Sequence, residues 1–175
     1  MADWFYADEN IGSKIKSPIE YLVGMKKLVP ISFENEKQLL FIQKQLGQIL
    51  LNPPNVAGWK GGKSWIDSNT IVLRLKLPSI LLNDAYISKA KNGTSDQMII
   101  KKQAFKKQYG KRFKSQVKWN SFKEVYSHVA IEDLPKYILC CEINKNTADY
   151  LKSLDKVSKQ EYCVQLMSLP EYQMC

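Results

Sequence analysis

A chain of 175 residues is long enough for one domain that buries about 70% of the surface that its unfolded form exposes. Hydrophobic residues make up 45% and charged residues 25% of the sequence, which excludes an intrinsically disordered chain, and no apolar run approaches the roughly 20 residues of a membrane-spanning helix. The net charge of +9 comes from one stretch, since residues 99–123 contain nine Lys and Arg residues and no acidic residue.

The first two predicted elements are helices separated by a short connection. The sequence Ser-Pro-Ile-Glu at 17–20 is typical of a helix start, because the serine caps free amides, the proline fits a position that needs no N–H, and the glutamate completes a capping box. This helix is expected to extend to about Val29. Apolar residues spaced three and four apart predict a second helix over about 34–51, which the prolines at 53 and 54 end.

The third predicted helix covers about 69–83 and follows a cluster of capping residues at 67–70. Its pattern is ambiguous, because residues 73–77 alternate apolar and basic side chains as a strand would. The capping cluster favours the helix, which Pro78 is expected to bend or split. Five further helices are predicted over about 96–114, 119–131, 133–143, 146–156 and 158–169.

Successive amphipathic helices predict a mainly α fold, an irregular multi-helix bundle that forms one domain over residues 1–175. A loop rich in Pro, Gly and Trp, residues 52–67, joins the second and third helices. Its Gly-Gly-Lys-Ser resembles the end of a phosphate-binding loop, but such a loop needs a glycine where Ala57 stands and a strand rather than a helix before it. The favoured interpretation is a folded connection that Trp59 and Trp65 hold against the core.

The same loop is the first candidate contact surface. Its two indole rings would offer flat apolar faces to a glycan or to a protein partner, with nearby polar side chains as hydrogen-bond partners. Exposure of both rings would favour this binding role, whereas burial of both would indicate core packing alone. The ligand-contact candidates are Asn55, Trp59, Lys63, Trp65 and Asp67.

The basic stretch is the second candidate contact surface. Residues 101–123 interleave Lys and Arg with aromatic residues, a composition that suits nucleic acid or an anionic lipid surface. Phe105, Tyr109 and Phe113 recur every four residues, so an amphipathic helix with a solvated basic face is the simpler interpretation. The polyanion-contact candidates are Lys101, Lys102, Lys106, Lys107, Lys111, Arg112, Lys114 and Lys118.

The sequence contains no recognisable catalytic or metal-binding pattern. His128 is the single histidine, and no nucleophile and base accompany it, so a structural histidine is favoured. The cysteines at 140, 141, 163 and 175 match no zinc spacing; buried thiols are favoured, and a disulfide from Cys175 to one of the others becomes the alternative if the protein is exported. The favoured function is a binding or structural module that needs no cofactor; an enzyme whose catalytic residues lie partly upstream is the alternative.

Three stretches resemble the bacterial domain-of-unknown-function 1800 family. They are IKSPIEYLVG (15–24), LGQILLNPPNVAGWKGGKSWID (46–67) and LMSLPEYQMC (166–175), and the last is similar to Bacteroidetes-type members. Family members are longer, typically helical and often exported, so the resemblance implies a helical fold within the carboxyl-terminal portion of a longer protein of the cell envelope or exterior. No signal peptide opens this chain, so an export signal would lie upstream. The resemblance implies no reaction, cofactor or catalytic residue.

Overall fold

The computed structural model describes residues 7, 10–82, 115–154 and 157–175. Within these residues there are seven α-helices and one two-stranded sheet, which confirms the mainly α fold. The helices are α1 Pro18–Leu28, α2 Glu36–Gln45, α3 Ser68–Leu82, α4 Trp119–Tyr126, α5 Leu134–Ile138, α6 Lys145–Lys152 and α7 Lys159–Met167. Short 3-10 helices occur at Gly62–Trp65, Ile131–Asp133 and Glu171–Gln173. The helix predicted over about 96–114 lies outside the described residues.

Helix α1 begins with the predicted capping box. The Ser17 hydroxyl accepts a hydrogen bond from the Glu20 N–H at 3.3 Å, and the Glu20 carboxylate accepts one from the Ser17 N–H at 2.7 Å. Two of the amides that a helix start leaves free are therefore satisfied. The helix ends at Leu28, and the following Val29 is already extended, as the downstream proline requires.

Helix α2 ends at Gln45, so the prediction that it continues to about residue 51 was wrong. Gly47 has a φ of +85°, the left-handed conformation that terminates helices. The Gln43 side chain then accepts a hydrogen bond from the Leu50 N–H at 2.8 Å, which holds the chain in a turn beyond the helix. The apolar spacing at 46–50 reflects burial of part of this turn and not a further helical turn.

Helix α3 is continuous through Pro78, which does not split it. Because proline has no N–H, the Arg74 carbonyl has no donor at the usual position four residues later. The Tyr21 hydroxyl of α1 donates to that carbonyl at 2.6 Å instead. A tertiary contact therefore satisfies the acceptor that the proline leaves free, and the helix favoured by the capping cluster is confirmed over the alternating strand.

The later helices are present but shorter than predicted. The segment predicted as 119–131 is α4 followed by a turn, and the segment predicted as 133–143 contains the five residues of α5. Helix α6 ends at Lys152 rather than at about residue 156. Helix α7 starts as predicted, with the Ser158 hydroxyl accepting from the Glu161 N–H at 3.2 Å.

A small sheet was not predicted from the sequence. Strand β1 (Ile31–Phe33) pairs antiparallel with β2 (Ser115–Val117), and Ile31 lies opposite Val117. Each strand has three residues, too few for an alternating pattern to stand out from its surroundings. The pairing joins segments that are far apart in sequence, so only the tertiary structure brings them together.

The core lies where α1, α3 and α7 meet, with the C-terminal tail (residues 171–175) beside them. Helix α3 packs against α7, and α5 contacts α7 from another side. The tail runs antiparallel to residues 14–16: the Lys16 N–H donates to the Gln173 carbonyl at 2.8 Å, and the Cys175 N–H donates to the Lys14 carbonyl at 2.8 Å. The fully buried side chains include Tyr21, Met25, Leu77, Leu82, Leu134, Leu166, Met167 and Tyr172.

Among the described helices, none combines the length and the apolar character that crossing a bilayer requires.

Candidate functional site

The loop between α2 and α3 is built from tight turns. Leu51 has a φ of +62°, and Gly58 and Gly62 have φ values of +82° and +63°. The Asn55 side chain accepts a hydrogen bond from the Ala57 N–H at 2.9 Å, a turn in which an asparagine side chain replaces a backbone acceptor. These turns define the shape of the loop.

The two tryptophans of the loop differ in exposure. Trp65 is 9% exposed and belongs to the buried residues, whereas Trp59 is half-buried. The sequence alternatives treated the two rings together, as both exposed or both buried, and the structure matches neither alternative, because Trp65 is buried and Trp59 is partly buried. The more accessible of the two indoles is that of Trp59.

Asp67 serves as the N-terminal cap of α3. Its Oδ1 accepts hydrogen bonds from the N–H groups of Thr70 and Asn69, each at 2.8 Å. These two hydrogen bonds hold the pKa of the Asp67 carboxyl below its usual value, since they favour the charged form. The carboxylate is solvent-exposed, and its Oδ1 is bound to the first turn of α3.

The Gly-Gly-Lys-Ser sequence forms a short 3-10 helix rather than a phosphate cradle. The Ser64 hydroxyl, which a phosphate-binding loop would direct to a bound metal ion, donates to the carbonyls of Lys60 and Gly61. Lys63 is exposed. The local geometry agrees with the interpretation of this stretch as a folded connection.

Exposed apolar side chains concentrate at the outer part of the loop. Leu51 is 90% exposed, Val56 is fully exposed, and Leu50 is more than half exposed. Together with the half-buried Trp59 they form what we call the loop surface, namely Leu50, Leu51, Val56 and Trp59. Packing within the described residues leaves these side chains of one loop accessible, and exposed apolar surface is a feature of interaction sites.

A buried polar cluster that the sequence analysis missed lies on the other side of α3. Arg74 is 0% exposed, and its Nη1 donates to the Lys16 carbonyl at 3.0 Å and to Gln173 Oε1 at 3.3 Å. The Lys16 ammonium donates to the Tyr172 carbonyl at 2.7 Å and lies 4.2 Å from the centre of that ring. One signal existed in the sequence: Arg74 precedes Leu77 by three residues and therefore falls on the apolar face of α3.

The cysteines and the histidine do not form a reactive group. All four thiols are unpaired; Cys163 is fully buried, whereas Cys140 is exposed. Burial raises the pKa of the Cys163 thiol to about 12, which keeps it protonated. His128 is exposed just beyond α4. Within the described ranges, no group of three His, Cys, Asp or Glu side chains is placed to hold a metal ion.

The basic stretch is almost entirely outside the described residues. Of its polyanion-contact candidates, Lys118 alone is described; it is exposed, and its N–H donates to the Pro30 carbonyl at 3.0 Å where β2 leads into α4. The other candidates, Lys101, Lys102, Lys106, Lys107, Lys111, Arg112 and Lys114, lie in the undescribed part. Polyanion binding therefore stays a prediction.

Comparison with known proteins identifies a family. No curated protein and no solved structure matches the chain. The family described as "Protein of unknown function (DUF1800)" matches residues 1–174, which confirms the resemblance seen in the sequence. Because this match covers nearly the whole chain, the protein belongs to the DUF1800 family.

Proposed function

We propose that this chain is a non-catalytic binding module of a bacterial, exported protein, and that the loop surface is its contact site. The conformation of Leu51 carries the proposal. A leucine with a φ of +62° is strained, and at 90% exposure it gains almost nothing from burial in this chain. A partner that covers Leu51 buries this side chain. Such burial explains why leucine, and not glycine, occupies the position.

The surroundings of Leu51 hold the loop surface ready for a partner. Leu50 is fixed through the hydrogen bond from its N–H to Gln43, and the turn at Asn55 fixes the chain before Trp59. Trp65 is buried near the end of the loop. A surface that is already ordered loses little conformational entropy on binding, so its affinity is higher than that of a flexible loop.

The chemistry of the loop surface favours a protein partner over a glycan. Stacking of a sugar between two indoles needs both rings, and Trp65 is buried. The side-chain oxygen of Asn55 and the Oδ1 of Asp67 already accept hydrogen bonds from backbone N–H groups of the loop and of α3, respectively. What remains accessible is aliphatic side chains beside one indole, with the exposed Lys63 at the margin, and this composition suits an apolar protein surface with acidic residues around it.

A site-specific photo-crosslink tests the proposal in the bacterium that produces the protein. A photoreactive amino acid at Val56 should yield a discrete protein adduct, because that side chain projects fully into solvent at the loop surface. The matched control is Val72, an exposed valine on α3 away from the loop surface. The adduct should disappear when Leu51→Gly is added, while thermal unfolding shows that this variant remains folded. Equal adducts at both valines, or none at Val56, would argue against a contact site here.

A further inference from the structure

Arg74 on α3 has buried donors without acceptors. Its Nη1 donates to the Lys16 carbonyl and to Gln173 Oε1, whereas its Nε and Nη2 have no hydrogen-bond partner among the described residues. Buried polar groups of folded proteins are almost always hydrogen-bonded, and the exceptions need an explanation. The two unpartnered nitrogens are neighbours on one guanidinium group, so one acceptor group can serve both.

The unpartnered atoms of Arg74 lie on one edge of the guanidinium plane. The Nε–H bond and one Nη2–H bond point in the same direction, and this edge makes two parallel hydrogen bonds to a carboxylate or a phosphate. A single carbonyl oxygen satisfies it only in part. The edge therefore fits an acceptor group that presents two oxygens.

The charge of Arg74 also lacks a counter-ion in the described part of the chain. The ion pairs there join Lys14 to Glu20 and Lys136 to Asp133. Glu171, the acidic residue of the C-terminal tail, accepts hydrogen bonds from Asn144 at 2.9 Å and Thr147 at 2.7 Å instead. The Tyr21 ring, 5.6 Å from Arg74 Cζ, compensates a cation only partly. Because a buried charge without a partner is strongly unfavourable, the site favours an anion.

We propose that Arg74 forms a buried site for a small oxyanion, a carboxylate or phosphate group, on α3 beside the C-terminal tail. The anion accepts hydrogen bonds from Arg74 Nε and Nη2. The ammonium of Lys16, held by the Tyr172 carbonyl at 2.7 Å, adds positive charge to the same region. An anion bound here compensates the buried charge of Arg74, so its binding stabilises the folded chain.

Thermal unfolding of the whole chain, with inorganic phosphate and acetate as probes, tests this site. Each probe is added to chloride buffer at constant ionic strength, so that general screening does not change. We expect a saturable rise in Tm above that in chloride alone, because a ligand that binds only the folded state stabilises it. A larger response to acetate identifies a carboxylate ligand, and a larger response to phosphate identifies a phosphate group. Equal Tm values in phosphate, acetate and chloride overturn the proposal.

Gln173→Glu provides a second test, because it places a carboxylate beside Arg74 without a change of shape. We expect a higher Tm in chloride and an affinity for phosphate and acetate that is about tenfold weaker or more, since the new carboxylate at Nη1 compensates the guanidinium charge that attracts the anion. Lys37→Met, which removes an exposed charge on α2, should keep the wild-type response. A full anion response in Gln173→Glu, or a lost response in Lys37→Met, contradicts the proposed site.

Discussion

Leu51 and Gly47 lie in neighbouring turns and share a left-handed backbone conformation. Both residues have positive φ values, +62° for Leu51 and +85° for Gly47, and of the described residues other than glycine only Leu51 does so. Glycine adopts this conformation without steric cost, whereas a side chain meets its own carbonyl. Position 47 therefore has the residue that its backbone prefers, whereas position 51 has a side chain that opposes its backbone conformation.

We predict that Leu51→Gly stabilises the isolated protein by about 0.5–1 kcal/mol. Relief of the left-handed conformation, worth about 1–2 kcal/mol, exceeds the entropy that glycine adds to the unfolded chain. Urea unfolding measures the change. Gly47→Ala is the matched control and should destabilise by about 1 kcal/mol, although open space surrounds position 47. A destabilised Leu51→Gly variant would show that Leu51 makes a contribution to the fold after all.

The cysteines should differ sharply in reactivity, because the thiolate is the reacting form. Burial keeps the pKa of Cys163 at about 12, so at pH 8 almost none of it is ionised or accessible. Cys140 is exposed. Alkylation with iodoacetamide, followed by peptide mass spectrometry, should label Cys140 first and Cys163 only after unfolding in urea. Labelling of Cys163 at the rate of Cys140 in the native protein would refute the burial of this part of α7.

At the scale of the element, α3 depends on contacts from outside the helix. The Arg74 carbonyl that Pro78 leaves without a donor is satisfied by Tyr21 of α1. At the start of the same helix, Asp67 supplies an acceptor to two backbone amides. Both arrangements replace hydrogen bonds that a regular helix cannot make for itself.

Tyr21→Phe should destabilise the protein by about 1–3 kcal/mol, because it leaves the buried Arg74 carbonyl unsatisfied. A double-mutant cycle with Pro78→Ala identifies the cause. Alanine at position 78 restores the N–H that bonds to the Arg74 carbonyl, so Tyr21→Phe should cost less in that background. Thermal or urea unfolding of the four proteins gives the coupling. Equal costs in both backgrounds would show that the Tyr21 hydroxyl does not stabilise the protein through the Arg74 carbonyl.

Asp67→Ala should lower stability at pH 7 and make a smaller difference in acid. The hydrogen bonds from Thr70 and Asn69 lower the pKa of Asp67 in the folded state, so its contribution is fully present above the unfolded pKa of about 3.9. This contribution is lost as the pH falls through the lower folded value. Urea unfolding between pH 7 and pH 3 measures the gap between Asp67→Ala and wild type. A gap that stays constant over this range would contradict the role of the ionised carboxylate.

At the scale of the whole molecule, the C-terminal tail completes the core. Ile15 and Met174 form an antiparallel bridge, and Tyr172 is buried against the Tyr21 ring with centroids 5.8 Å apart. The tail thereby joins the start of α1 to α3 through Gln173 and Arg74. Segments from both ends of the described chain therefore lie side by side.

Deletion of residues 171–175 should therefore destabilise the protein by at least about 3 kcal/mol, the usual cost of removing one buried aromatic side chain. Thermal unfolding followed by circular dichroism measures the loss. Deletion of Cys175 alone is the control and should have a smaller effect, because its side chain is only partly buried. A truncated chain as stable as the full one would show that the tail packs on a core that is already complete.

The sequence alone determined the helical fold and the starts of three helices. These features depend on neighbours within about four residues. Capping boxes, prolines and apolar spacing all act over that distance, so a local stretch of sequence shows them. Helix α2 ends two residues before Gly47, and a glycine at this place is typical of a helix end. The sequence therefore contained the signal that ends α2, although apolar spacing predicted a helix to about residue 51.

Only the tertiary structure decided the rest. It paired β1 with β2 and placed the Tyr21 hydroxyl at the Arg74 carbonyl, which Pro78 leaves without a helical donor. It also brought Gln173 to the buried guanidinium of Arg74. Each of these contacts joins residues more than 50 positions apart. Local patterns specify which backbone shape a segment prefers, but which segments meet follows from how all the apolar faces are buried together.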